Sequence, residues 1–225
     1  MNGALLLAVP GDTHWVDSVA RILRDLGFAV QTGMPVPSAT ADIGLVIADA
    51  GTGIPDTLLG AWRGAAVCAL VLAPGAVHAR ACSEAGVACL REPVTEAAIL
   101  GLLASQHYLA LTVREAAGVA QAIAAQTFGN PAFAAELVQA LMSSTRIDLA
   151  QLQAAADDLA MVRGIAHRLK ASAHYVGCHA LRLMAQRLEH AARDGDAATA
   201  TALVAIVEPT MVRLLGLLAT LPAAE

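Results

Sequence analysis

An imidazole set among very small side chains and edged by positive charge is the one arrangement in this sequence suited to nucleophilic chemistry on an anion. It lies in Val162-Arg163-Gly164-Ile165-Ala166-His167-Arg168-Leu169-Lys170-Ala171-Ser172-Ala173-His174-Tyr175-Val176-Gly177. Wound as a helix at about 100° per residue, the stretch sorts into two faces. Val162, Ile165, Leu169, Ala173 and Val176 fall on one stripe. His167 points nearly the opposite way, within roughly 60° of Ala160, Arg163, Gly164, Lys170, Ala171 and His174. Small neighbours let another protein come close to the ring, and positive neighbours suit an anion. Lys170 is the only lysine in the chain, and its ammonium acts as a compact point charge for phosphate. Neutral imidazole attacks phosphoryl groups near neutral pH. The bland alternative is a merely solvated histidine on the polar face of an amphipathic helix.

Other chemistries find less support. His167, His174, His179 and His190 have neither an i, i+4 pairing nor a carboxylate cluster of the kind metal sites use, so no metal site is expected. No Gly-rich phosphate loop, kinase ATP-site motif or Ser-His-Asp arrangement is visible. The chain is therefore not expected to make its own phosphodonor or to bind a cofactor.

The elements that must position His167 follow from composition and pattern. The chain has 225 residues, enough for one large or two modest domains. It is 57% hydrophobic and only 3% aromatic, so its core should be aliphatic. A formal net charge of −5 argues against a nucleic-acid partner, which would call for a basic footprint. Mean hydropathy is +0.60, yet no uninterrupted apolar stretch of spanning length is convincing and no membrane insertion is expected. The start, Met1-Asn2-Gly3-Ala4, lacks a basic signal-peptide head, which points to a cytoplasmic setting. Cys68, Cys82, Cys89 and Cys178 show no CxxC spacing and read as reduced, buried thiols.

In chain order, Ala4 to Val9 is an apolar run ending at Pro10-Gly11, a buried strand. Asp12 to Leu26 is helical, closed by Gly27. Short strands are expected at Phe28 to Gln31, Ile43 to Ala48, Ala66 to Leu72 and Val87 to Leu90. Helices are expected near Leu58 to Trp62, Val77 to Ala85 and Thr95 to Ser105. Alternating apolar strands and helices predict an α/β domain over residues 1–105, a parallel sheet of flavodoxin-like type. Beyond residue 112 there are no strand-like runs. Helices are predicted from Val113 to Gln126, from Pro131 (capped by Asn130) to about Ala155, from Asp157 or Asp158 to Gly177, from Cys178 to Ala192, and from Asp196 to about Leu221, with Pro209 bending the last. Phe133, Leu137, Leu141, Ile147, Leu149 and Leu152 supply the apolar faces of the long second helix. Four long helices with short loops predict an all-α up-down four-helix bundle over 112–225, preceded by one packing helix.

His167-Arg168-Leu169-Lys170-Ala171-Ser172-Ala173, followed by Gly177 and Leu181, resembles the signature of histidine phosphotransfer (HPt) domains: His-x-Leu-Lys-Gly-Ser/Ala, a glycine ten positions after the histidine and a leucine four further on. It is most similar to the HPt modules at the C-termini of hybrid sensor kinases, over roughly residues 112–221. Ala171 departs from the family's glycine, which narrows the docking surface. The resemblance implies His167 as phosphoacceptor, Lys170 as phosphate-stabilising group and Glu189 as a carboxylate reaching from the next helix to orient the ring. Glu189 has an alternative, a surface pair with Arg193 at i+4. Arg163, Gly164, Arg168, Ala171 and His174 would form the docking surface, and Ser172 would back the helix.

Residues 1–105 resemble the receiver domain of response regulators in strand order, in Gly27 and in Glu92-Pro93, which stands where that family has Lys-Pro. The family's Mg²⁺-holding acidic pair falls on Pro10 and Gly11, its Ser/Thr near Ala73, and its lysine on Glu92. Asp49 alone lies close to the phosphoacceptor position. An aspartate that accepts phosphate needs a divalent cation beside it, so this half reads as a degenerate receiver. Together the two halves suggest a phosphorelay intermediate in two-component signalling, a carrier rather than an enzyme. Its partners would be the receiver domains of a hybrid sensor kinase and of a response regulator, with Mg²⁺ supplied by the partner receiver. Two rival readings are a non-catalytic adaptor built from a pseudo-receiver and a bundle, and a kinase-type dimerisation bundle.

Overall fold

The computed structural model describes residues 3–8, 14–33, 43–49, 67–72, 87–155 and 158–221. The chain divides into two compact units, Met1–Gln106 and His107–Glu225.

In the first unit five apolar segments become strands: β1 (Gly3–Leu7), β2 (Ala29–Thr32), β3 (Ile43–Asp49), β4 (Val67–Leu72) and β5 (Ala88–Arg91). All pair in parallel, in the order β2-β1-β3-β4-β5. This is the doubly wound, flavodoxin-like order, whose switch point lies between β1 and β3. β1 and β3 are nearly fully buried, as the continuous apolar runs of a covered parallel sheet require. Leu5, Leu7, Ile43, Val46 and Ala48 form one core cluster. Helix α1 (His14–Asp25) buries Trp15, Val16, Val19, Ala20 and Leu23. It ends at Gly27, whose φ of 87° lets Phe28 N–H reach back to Leu23 C=O at 2.9 Å. After the cis Glu92-Pro93 bond, Thr95 caps α2 (Glu96–Ser105) through Ala98 N–H at 3.2 Å. The expected helices at 58–62 and 77–85, and the residues Pro10, Gly11, Asp12 and Ala73, lie outside the described residues.

One cysteine departs from expectation. Cys89, on β5, is disulfide-bonded, whereas half-buried Cys68 and buried Cys178 are not in disulfides. Spacing along the chain does not tell which thiols a fold brings together, so the absence of CxxC was no argument for four reduced cysteines.

The described elements of the second unit are helices: α3 (Val113–Gln126), α4 (Pro131–Ala155), α5 (Leu159–Tyr175), α6 (His179–Asp194) and α7 (Ala197–Ala219). α4 packs on α5, α5 on α6, α6 on α7 and α7 back on α4, which closes a four-helix bundle, and α3 packs beside it. Local chemistry sets the helix ends. Asn130 Oδ1 accepts from Ala132 and Phe133 N–H, with Pro131 at the first helical position. Asp158, rather than Asp157 (outside the described residues), caps α5 through Met161 N–H at 3.0 Å, and Asp196 caps α7 through Thr199 N–H at 3.0 Å. α5 ends in a Schellman turn: Gly177 N–H donates to His174 C=O at 3.1 Å and Cys178 N–H to Ala173 C=O at 2.9 Å, with Gly177 at φ 70°. α3 ends the same way, but with Phe128 at φ 53° where a glycine would be easier; its side chain is 96% exposed.

Two expectations for the bundle need correction. On α4 the buried stripe is Val138, Leu141, Met142, Thr145, Asp148, Leu152 and Ala155, while Phe133 and Ile147 face solvent. The helix is rotated so that a carboxylate and a hydroxyl, rather than those two apolar side chains, face its neighbours. Secondly, α7 is long and apolar enough to cross a membrane by length and composition. One face, with Leu203, Ile206, Val207, Met211 and Leu214, is instead buried in the bundle, while Val212 is exposed. Pro209 sits inside α7 on its exposed side. The carbonyl it leaves unbonded, four residues back at exposed Ala205, is therefore open to water.

Candidate functional site

The apolar stripe of α5 is buried as its spacing requires: Val162, Ile165, Leu169, Ala173 and Val176 are all at most 3% exposed. That burial fixes the rotation of the helix and leaves the His167 side chain 69% exposed. Arg163, Ala171 and His174 are exposed on the same face, and Gly164 is half-buried. His174 packs its ring near that of Tyr175, at 6.0 Å between centroids. Ser172 is buried behind the helix.

His167 Nδ1 lies 2.9 Å from Glu189 Oε1 on α6, and Lys170 Nζ pairs with Glu189 Oε2. One carboxylate thus ties the histidine and the lysine into a single unit. The Lys170 hydrogen bond holds the Glu189 carboxyl below its ordinary range; partial burial opposes this and the His167 hydrogen bond adds to it. An ionised carboxylate only accepts, so the proton of this contact sits on His167 Nδ1. A neutral ring then has its lone pair on Nε2. Arg193, the alternative partner of Glu189, has Asp194 as its main partner: its Nε donates to Asp194 Oδ1 at 2.8 Å, and Glu189 contributes only a weaker electrostatic attraction.

Arg168 behaves differently from a free docking cation. Its Nε and Nη2 donate to Asp148 Oδ1 on α4 at 2.8 and 2.6 Å, and Nη2 also donates to Gln151 Oε1 at 2.8 Å. The Asp148 side chain is 4% exposed and that of Arg168 51%. His167 is thus flanked on α5 by two basic side chains, each held by a carboxylate from a neighbouring helix. Asp148 was not among the residues singled out from the sequence. The signal was a charged residue in the i, i+4 frame of Leu141, Thr145 and Leu152.

Glu115 was missed as well. Its Oε2 accepts from Thr112 N–H at 2.9 Å while Thr112 Oγ1 accepts from Glu115 N–H at 3.1 Å, a capping box announced by the Thr-x-x-Glu spacing. Its Oε1 accepts from Ala180 N–H at 2.9 Å and so caps α6, whose own N-cap residue Cys178 offers no side-chain capping bond. Burial, with Glu115 adding to it, pushes the Cys178 thiol up to about 12.

Asp49 ends β3 at the carboxyl edge of the sheet, opposite Val71 of β4 and beside the switch point. The positions of the receiver family's acidic pair lie outside the described residues. A cavity of about 150 Å³ between α4, α5 and α7 is lined by Leu152, Val162, Ala200 and Glu208 among others and by none of the expected site residues. Burial raises the Glu208 carboxyl above its ordinary range. Among the described residues no three His, Cys, Asp or Glu side chains converge as metal ligands do.

Residues 136–224 match the family model described as the Hpt domain. No curated protein and no solved structure matches the chain.

Proposed function

Residues 136–224 form an Hpt domain, a phosphotransfer module of phosphorelays, and from that premise we propose that this chain carries a phosphoryl group between receiver-domain aspartates on His167 Nε2. The observation that carries the reading is the exposed ring whose Nδ1 is held by an ionised Glu189. A lone pair on Nε2 attacks the phosphorus of a partner's aspartyl phosphate. The N–P bond forms as the P–O bond to the carboxylate breaks, and the aspartate leaves as a free carboxylate. The attacking ring gains positive charge, which Glu189 stabilises through the Nδ1–H. Lys170 stands on the same face for the phosphoryl oxygens. The second transfer is the reverse step onto another aspartate. Mg²⁺ and most of the charge stabilisation come from the partner receiver's acidic pocket. On this reading the protein is a carrier rather than an enzyme, it works in the cytoplasm, and its first unit is a degenerate receiver in which Asp49 is a remnant used for docking or pairing.

The test is incubation of the full chain with a phosphorylated receiver and Mg²⁺, followed by mass spectrometry at neutral or alkaline pH. A label on His167 that is lost in His167→Gln supports the relay. Absence of a label with every receiver that binds the chain supports the adaptor instead, and His167→Gln then leaves binding intact.

A further inference from the structure

We infer that Arg168 is a docking donor held in place by Asp148, and that it recognises a carboxylate on the receiver domain that approaches His167. The inference rests on the relay reading above; the resemblance already puts Arg168 on the docking surface, and the new elements are Asp148 as the residue that aims it and a carboxylate as the group it meets.

A guanidinium has five N–H donors in one plane. Here three point at α4: Nε–H and one Nη2–H at Asp148, the other Nη2–H at Gln151. The two on Nη1 have no partner among the described residues. Helical side chains fold back over the preceding turn, and Arg168 does so over Gly164. A methyl built on Gly164 would stand 3.8 Å from Nη1. Gly164 precedes His167 by three residues and shares its face, so Nη1 is presented at the edge of the histidine surface. The pair is asymmetric, with the anion buried and the cation half-exposed. Its net charge is near zero, but it forms a fixed dipole with the positive end outward. Such a group does little for long-range attraction. It does offer directed donors at low entropic cost to an acceptor that arrives in register. The lone pairs of a carboxylate suit it, and a receiver that brings a phosphorylated aspartate to His167 brings an acidic pocket with it.

Positioning and bulk charge predict opposite signs for one variant. Asp148→Asn changes the formal net charge from −5 to −4, so a simple attraction to an acidic partner would strengthen. If Asp148 instead aims Arg168, the same variant weakens docking. The experiment measures phosphotransfer to the full-length wild type, Asp148→Asn and Arg168→Lys from the phosphorylated receiver that labels the wild type best. Labelling by phosphoramidate, which has no surface to dock, is measured in parallel. The expected result is a KM raised about tenfold in both variants, as for loss of one charge-assisted hydrogen bond, with kcat within about twofold by the same reasoning. Arg168→Lys keeps the charge and its exposed position, so it guards against misfolding of Asp148→Asn. An unchanged or lowered KM in either folded variant overturns the inference. So does an equal loss with phosphoramidate, which would place Arg168 in the chemistry. If the wild type itself takes no label from any donor, it is the relay reading that has failed, before any variant is compared.

Discussion

Gly177→Ala should destabilise the helical unit by about 2 kcal/mol, and the structure separates the contributions. At φ 70° an alanine adopts a left-handed backbone that costs roughly 1–2 kcal/mol. Its methyl would lie 3.0 Å from the Ala122 methyl of α3, well inside the roughly 3.5–4.0 Å optimum for carbon pairs. Relieving that contact moves the end of α5 away from α3, an overpacking cost of about 1 kcal/mol at the low end of the usual range. Against this, alanine restricts the unfolded chain and returns about 0.5 kcal/mol. Gly195 is the internal control. Its φ is 75°, but nothing lies within 4 Å of a methyl built there, so Gly195→Ala should cost only the backbone part, about 1 kcal/mol. Urea unfolding followed by helical circular dichroism gives both values. Ala122→Gly in the Gly177→Ala background should recover the steric part, seen as a favourable coupling of about 1 kcal/mol in a double-mutant cycle. If Gly177→Ala costs no more than Gly195→Ala, or the coupling is zero, the close approach of α3 to this turn is not what makes glycine necessary.

Further outcomes follow from the same geometry. Glu115→Ala removes a capping carboxylate from α3 and from α6 at once and should cost about 1–3 kcal/mol; Glu115→Gln, which keeps one accepting oxygen, should cost less, and equal losses in thermal melts would refute the double cap. Glu189 should titrate below its ordinary value of 4.5, checked by carbon NMR of its carboxyl. Because its folded value is depressed, the stability it contributes is complete above about pH 4.5 and is lost as the pH falls through the folded value. Lys170→Met should raise the Glu189 value back toward 4.5, since Lys170 is the largest cause of the shift; an unchanged titration would deny the pairing.

What could be read from the sequence was local. The apolar stripe Val162, Ile165, Leu169, Ala173, Val176 set the rotation of α5, and with it the exposure of His167, because a helix buries whichever face is apolar at its own period. Gly27, Asn130-Pro131, Gly177 and Asp196 marked helix ends, because caps act within a turn of the residue that supplies them. The apolar runs of β1, β3 and β4 named a covered parallel sheet for the same kind of reason. Glu189 was legible only through the resemblance, since its sequence neighbours offered Arg193 equally well.

The tertiary structure decided everything that passes between helices. That Glu189 faces His167 and Lys170, that Arg193 turns to Asp194, that Asp148 is buried to hold Arg168, and that Glu115 caps a helix 65 residues away all depend on the relative rotation and register of packed helices. Neighbouring residues on one helix fix who is four positions away, but not who lies across the interface. The same reason explains Phe133 and Ile147, apolar by type yet exposed. α4 gave its inward face to Thr145 and Asp148, and the gain of a buried, paired carboxylate against Arg168 exists only once α5 is beside it.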